Sequence, residues 1–217
     1  IVDAFKDNKF VVIQGPTGCG KSFIAKTIAN SLNKPPARLT KLVHNYSAFE
    51  TSWENNLFNI IKKHKINFLP YVPDAGHAKL ISLSEKDNFI KPIVLTTEEE
   101  GIAFSSGAWL GGKKSVLLMQ SSGVGNCINM LSILSNCNFP FVTLITMRGE
   151  FGEFNSWQVP MGQATQTCLE SMGVVVHRAS NSNEVENFTD AALYSAFSSD
   201  QQIAVLLSQK LIGRKEW

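Results

Sequence analysis

The tightest constraint on this chain is an alternation that runs from about residue 68 to residue 207. Six short runs are rich in Val, Ile, Leu and Phe: Phe68–Val72, Ile93–Thr97, Val116–Gln120, Phe141–Thr146, Val174–His177 and Ile203–Leu207. Such runs suit strands buried on both faces. Segments of helical character separate them, near Ala78–Leu83, Glu99–Leu110, Gly125–Leu134, Ala164–Met172 and Asn183–Phe197. A helix between two strands carries the chain back to the starting edge, so consecutive strands pair in parallel. The pattern therefore predicts an α/β fold with a six-stranded, mostly parallel sheet and helices on both faces. Ligands in such folds sit beyond the carboxyl ends of the strands, which makes the residues just after each run the ones to examine.

Bulk properties narrow the class. Hydrophobic residues make up 44% of the 217 and charged residues 18%, which favours a packed core over disorder. With 20 basic and 18 acidic residues the net charge is +2, and no basic cluster marks a nucleic-acid footprint. The longest apolar stretch, Phe139 to Met147 with Pro140 inside it, is far shorter than the roughly 20 residues of a membrane helix. Cys19, Cys127, Cys137 and Cys168 form no C-x-x-C pair, so a zinc or redox motif is not indicated. A reducing, cytoplasmic setting is expected. The histidines show no ligand spacing, and no metal site is expected within this chain.

The chain divides into two unequal parts, residues 1–45 and 46–217. In the first, Gly15-Pro-Thr-Gly-Cys-Gly20-Lys21-Ser22 fits G-x-x-x-x-G-K-[ST] after an apolar run and before a helical segment. It resembles the opening of an AAA-type or helicase-type P-loop ATPase. Gly15, Gly20, Lys21 and Ser22 would cradle phosphates and magnesium there. A P-loop enzyme also needs a carboxylate at the end of a later strand to hold that magnesium, and none of the six later runs ends in Asp. About forty residues cannot bury both faces of a sheet. The segment reads as a stub, with a nucleotide-binding or regulatory module as the alternative. A second helix is predicted from Ser47, where Ser47-Ala-Phe-Glu50 has capping-box spacing.

Four post-run segments are rich in polar residues and glycine: Val72-Pro73-Asp74, Thr96-Thr97-Glu98-Glu99-Glu100-Gly101, Met119-Gln120-Ser121-Ser122-Gly123-Val124-Gly125-Asn126, and Met147-Arg148-Gly149-Glu150-Phe151-Gly152-Glu153. Gln120, Ser121, Ser122 and Asn126 lie at a strand-to-helix turn where amides and small side chains can meet an anion or a bound cofactor; the alternative is an ordinary glycine-rich turn. The three glutamates either favour a helix N-terminus or include a working carboxylate.

In order and wording these segments resemble the alpha subunits of sulfopyruvate decarboxylase and the pyrimidine-binding half of phosphonopyruvate decarboxylase. Both are thiamine-diphosphate-dependent, and the resemblance spans about residues 53–217. It implies non-oxidative decarboxylation of a 2-oxoacid with an anionic tail, giving an aldehyde and CO₂. It also implies that Glu98, nine positions before Gly107, meets N1′ of the cofactor's aminopyrimidine, with Gly101, Ala103 and Gly107 letting the helix pack closely. Pro73 and Asp74 match the family's early loop at the site edge. His77 either touches substrate or is structural. Arg148 either clamps the anionic tail or pairs with Glu150 or Glu153. No Gly-Asp-Gly occurs in the sequence, so the resemblance implies that Mg²⁺ and the diphosphate are held by a second subunit in a homo- or hetero-oligomer. An inactive scaffold that keeps only the fold is the remaining alternative.

The incomplete P-loop generates the first expectation. The purified protein should hydrolyse no ATP above background. Steady ATP turnover that disappears in Lys21→Ala would reverse the order of the two readings.

Overall fold

A computed structural model describes residues 53–213. The P-loop segment and the expected cap at Ser47 lie outside these residues.

Helix α1 (Trp53–Lys63) leads into strand β1 (Phe68–Tyr71). Then follow α2 (Ala78–Glu85), β2 (Lys91–Val94), α3 (Glu98–Leu110) and β3 (Leu117–Gln120). After them come α4 (Ser121–Cys127), α5 (Ser132–Cys137) and β4 (Phe141–Thr146). The order closes with α6 (Val159–Ser171), β5 (Val175–Ala179), α7 (Ser182–Ser199), β6 (Gln202–Leu207) and α8 (Gln209–Ile212). The six strands form one sheet in the order β2-β1-β3-β4-β6-β5, and every pairing is parallel. The expected α/β architecture is therefore the observed one.

Alternate residues of each strand feed opposite sides of the sheet. Leu118, Val142, Leu144, Ile203, Val205 and Leu207 pack with α1, α2 and α7. Leu117, Met119, Phe141, Ile145, Ala204 and Leu206 pack with α3, α4, α5 and α6. All six residues of β4 are buried, including Thr143, whose hydroxyl donates to the Leu117 carbonyl at 2.9 Å. The edge strands β2 and β5 are less covered, with Val94 and Val175 exposed, and Pro92 lies where its missing N–H costs little.

Capping sets the start of α7. Asn181 Oδ1 accepts from the Glu184 amide at 3.0 Å, and Glu184 reaches back to the Ser180 amide at 2.6 Å. Each side chain thus satisfies an orphan donor of the helix end. The stripe Trp53, Leu57, Phe58 and Ile61 buries α1. Its polar side is tied to α7 by Asn56 to Glu186 and Lys63 to Asp190.

Two expectations need correction. The helix expected over Gly125–Leu134 is two short helices, and the first starts at Ser121, inside what reads as a glycine-rich turn. Of the three small residues expected to let α3 pack closely, Gly101 alone does so. A Cβ there would lie 2.3 Å from Leu117 Cδ1, whereas Gly107 faces open space and Ala103 is exposed.

The chain runs from β1 outward to β2, then returns to place β3 on the other side of β1. Ligands in folds of this kind bind where the chain diverges in this way, and here residues 74–77 lie over the carboxyl ends of β3 and β4. No helix of the described residues is long and apolar enough to cross a membrane.

Leu118 sits at the centre of this sheet with no exposed surface. Leu118→Ala should cost about 2–5 kcal/mol of unfolding free energy, transfer loss plus cavity. Urea titration followed by circular dichroism measures it, and a loss below about 1 kcal/mol would mean the core relaxes around the cavity.

Candidate active site

Glu98 is the first residue of α3, with Thr97 before it in an extended conformation. Three glutamates in a row are equivalent in sequence, but helix geometry separates them. Glu98 points inward and is only 1% exposed, whereas Glu99 and Glu100 are exposed. Glu100 reaches back to the Thr96 amide at 2.7 Å, satisfying an orphan donor near the helix start. The buried carboxyl lies against α4. A Cβ on Gly123 would fall 2.5 Å from Cγ, Cδ and Oε1 of Glu98, so the missing side chain makes room for the carboxyl. Asn126, one turn along, donates from Nδ2 to Glu98 Oε2 at 2.8 Å. Cys127 is buried beside them. Burial, with the Glu98 and Glu99 charges adding, pushes its thiol up to about 12, so it is no nucleophile at neutral pH.

A second polar cluster bridges the ends of three strands. Asp74, after β1, accepts from Gln120 Nε2 at 3.2 Å and from Thr146 Oγ1 at 2.5 Å. Gln120 in turn accepts from the Ser122 hydroxyl at 2.9 Å. His77 lies beneath. Its Nε2 meets the carbonyls of Met119 and Leu144 at 3.3 and 3.1 Å, so that nitrogen carries the proton. Burial lowers its pKa from 6.5, against the pull of Asp74 and the two carbonyls. A ring only 2% exposed, with this N–H occupied by the sheet, is placed to hold strands together, so the substrate contact considered for His77 does not fit its position.

A third cluster shapes the segment after β4. Arg148 is buried, and its guanidinium forks onto Glu153, Nε to Oε2 at 2.6 Å and Nη2 to Oε1 at 2.5 Å. Glu153 also accepts from the amides of Gly149 and Asn155 and from Gln209 Nε2. Gln209 Oε1 accepts from the amides of Glu150 and Phe151, and Arg178 pairs with Glu150. The loop interior is thus polar, while Phe151 and Trp157 are exposed at 51% and 58%. Gly149 at φ +76 closes the loop, since a Cβ would lie 2.6 Å from the Gln158 carbonyl oxygen.

Of the residues expected at the site, the fold gathers Asp74, Gln120 and Ser122 in one cluster and Glu98 and Asn126 in another. Pro73 is exposed beside Asp74. Ser121 is fully buried, and its hydroxyl oxygen accepts from the Arg148 amide at 3.0 Å, which places it in the scaffold. Arg148 takes the pairing with Glu153 that stood beside the clamp reading. Thr146, Gly123, Glu153 and Gln209 are not singled out by the sequence as site residues. Thr146 ends an apolar run like an ordinary strand residue, and Gly123 reads as part of a turn. Among the described residues no three His, Cys, Asp or Glu side chains come together as a metal site.

The pH dependence of stability follows from Glu153. Burial opposes its ionisation, but the Arg148 hydrogen bonds, the amides of Asn155 and Gly149 and the guanidinium charge together bring its pKa from 4.5 down to about 2. A carboxyl with a depressed pKa stabilises the fold above its unfolded value, and that contribution is lost as pH falls through the folded one. The stability gap between the protein and Glu153→Gln should therefore be constant near neutrality and narrow between pH 4.5 and 2. Urea unfolding at a series of pH values measures it, and a gap that stays constant through that window would contradict the ion pair.

No protein-family model matches the chain. It is 33% identical over 152 residues to "Sulfopyruvate decarboxylase subunit alpha" of Methanococcus maripaludis, covering 70% of this chain and 91% of that one. It is 37% identical over 101 residues to "Phosphonopyruvate decarboxylase" of Streptomyces viridochromogenes, covering 46% of this chain and 25% of that one. In fold it is similar to the 2-oxoglutarate:ferredoxin oxidoreductase of Magnetococcus marinus, with a TM-score of 0.57 at 15% identity over 76% of this chain and 33% of that one. The alpha-subunit match spans nearly the whole of that relative, and on that ground the chain belongs to the family of sulfopyruvate decarboxylase alpha subunits.

Proposed function

We propose that the chain is one subunit of a thiamine-diphosphate-dependent decarboxylase acting on a 2-oxoacid with an anionic tail, of the sulfopyruvate or phosphonopyruvate type. The observation that carries this reading is Glu98, a carboxyl buried at the carboxyl edge of a parallel sheet in a chain of this family. The residues present fit an aminopyrimidine. A buried carboxyl beside Gly123, with Oε2 held by Asn126, is suited to a ring nitrogen that must share a proton. The chemistry supplied by bound thiamine diphosphate is a nucleophilic carbon for the ketone and a sink for the electron pair freed with CO₂. This chain's part is to orient the ring, to hold a proton at N1′ through Glu98, and to keep water from the reacting face. Asp74, Gln120 and Ser122 would contribute from the same carboxyl edge, with their mutual hydrogen bonds fixing their orientations.

The diphosphate and Mg²⁺ belong, in this reading, to a second subunit. Diphosphate binding ordinarily requires a divalent cation held by protein oxygens, and no Gly-Asp-Gly turn occurs in the sequence. The relative from Methanococcus maripaludis is itself named as an alpha subunit. The exposed Phe151 and Trp157 offer apolar surface of the kind that interfaces use. The assembly would form closed, symmetric oligomers. Cys127, Cys137 and Cys168 are free thiols, which suits a cytoplasmic setting. With its guanidinium committed to Glu153, Arg148 would act on the substrate's anionic tail by shaping the loop more than by direct contact.

Replacement of the carboxyl tests the reading. Glu98→Gln keeps the shape and removes the proton exchange, so decarboxylation by the assembled enzyme should fall by roughly 10²–10⁴. The fold should persist. Full activity in Glu98→Gln, with loss in Glu99→Gln or Glu100→Gln, would move the role to another carboxyl.

A further inference from the structure

The sequence offers Asn126 to a bound anion, but its observed partner is a protein carboxylate. It stands exposed on the last turn of α4, while the carboxyl it meets is almost wholly buried at the start of α3. Two contacts from α4 define where that carboxyl lies. Gly123 sets how close it can come, since a Cβ would overlap Cγ, Cδ and Oε1 at 2.5 Å. Asn126 Nδ2 then engages Oε2 at 2.8 Å.

The two residues are three apart on one helix, and positions i and i+3 share a face. A single short helix therefore supplies both the floor and the hydrogen bond. A carboxylate side chain with its terminal torsion free can present either oxygen. Once Oε2 is bonded to an amide N–H, the choice between oxygens is made, and the one opposed to Gly123 is the one without this bond. An amide is also a neutral donor at every working pH. It can hold the ionised carboxylate without adding a charge that would trap the proton elsewhere.

We infer that Asn126 is a positioning residue for Glu98, fixing through Oε2 which carboxyl oxygen is left to meet a ligand, and that Gly123 is the steric half of the same device. This inference rests on the role of Glu98 proposed above. On it, Asn126 acts through Glu98 and has no independent effect on the reaction. The discriminating quantity is thus the coupling between the two residues, measured by comparing single and double variants.

In the assembled enzyme, Asn126→Ala should lower kcat by about tenfold to a hundredfold, the range for a lost hydrogen bond to a charged group, with the substrate KM nearly unchanged. The double variant Glu98→Gln/Asn126→Ala should be no slower than Glu98→Gln alone. If the double variant instead loses the product of the two single effects, Asn126 acts independently and the positioning role is overturned.

A second readout needs neither cofactor nor activity. In urea unfolding of the chain, the same four proteins should show that the Asn126→Ala effect on the unfolding equilibrium is about tenfold larger when Glu98 is present than in the Glu98→Gln background. Equal effects in both backgrounds would remove the contact itself. Should Asn126→Ala fail to fold, the nearly isosteric Asn126→Asp allows both comparisons. It replaces the donor by a like charge and should be more damaging beside the Glu98 carboxylate than in the Glu98→Gln background, where the facing group is a neutral amide. Were Glu98→Gln fully active while the urea coupling persisted, the proposed function would fall and the contact would stand. Loss of activity in Glu98→Gln without any coupling would leave the function and overturn the positioning.

Discussion

Parallel pairing is the constraint from which the site follows. Six strands running the same way place all their carboxyl ends on one edge, and the chain must leave that edge after every strand. The residues at those exits, Asp74 after β1, Glu98 after β2, Gln120 at the end of β3 and Thr146 at the end of β4, come from segments up to 72 residues apart in sequence. The sheet puts all four on the same edge, where Asp74, Gln120 and Thr146 join in one cluster and Glu98 pairs with Asn126 in another. The divergence of the chain on either side of β1 puts the switch point between β1 and β3, where Asp74 and Gln120 join the two exits.

Such an edge is costly to build from polar groups. Buried donors and acceptors that lack partners cost about 1–3 kcal/mol each. The structure offsets this by pairing the groups with one another. Asp74 takes donors from two neighbouring strands, His77 turns its N–H to two strand carbonyls, and Glu153 gathers five donors, two of them from Arg148. Glu98 differs in kind. It is as buried as any of them, yet among the described residues its side-chain hydrogen-bond partner is the exposed Asn126.

How far the site is legible depends on whether a residue's role is local or distant. The ends of β3, β4 and β6 are readable because apolar periodicity marks them, whereas the edge strands end at Val94 and Ala179 and not at Thr97 and His177. The resemblance to a known family picks Glu98 from three adjacent glutamates. Helix geometry supplies the physical reason for that choice, turning Glu98 toward α4 and leaving Glu99 and Glu100 in solvent. Arg148 is legible as a cation in the loop after β4, with its partner undecided. The partner, five residues on, depends on a left-handed Gly149 and on Gln209 arriving from the far end of the chain. Gly123 is misread for a related reason. Local propensity makes Ser-Ser-Gly-Val-Gly a turn, whereas packing against Glu98 makes it a helix, because a helix there lets the carboxyl approach where any larger residue would exclude it.

What the sequence determined by itself was the class of fold, its six strands, the edge on which chemistry would gather and the family to which the chain belongs. Periodicity and order carry these, since hydrophobic burial depends on residue type and spacing and hardly on exact position. Tertiary structure alone decided which polar groups would face one another. Hydrogen bonds and ion pairs are set within a few tenths of an ångström. A pair such as Asn126 and Glu98, 28 residues apart, exists only once α3 and α4 have been laid side by side against the sheet.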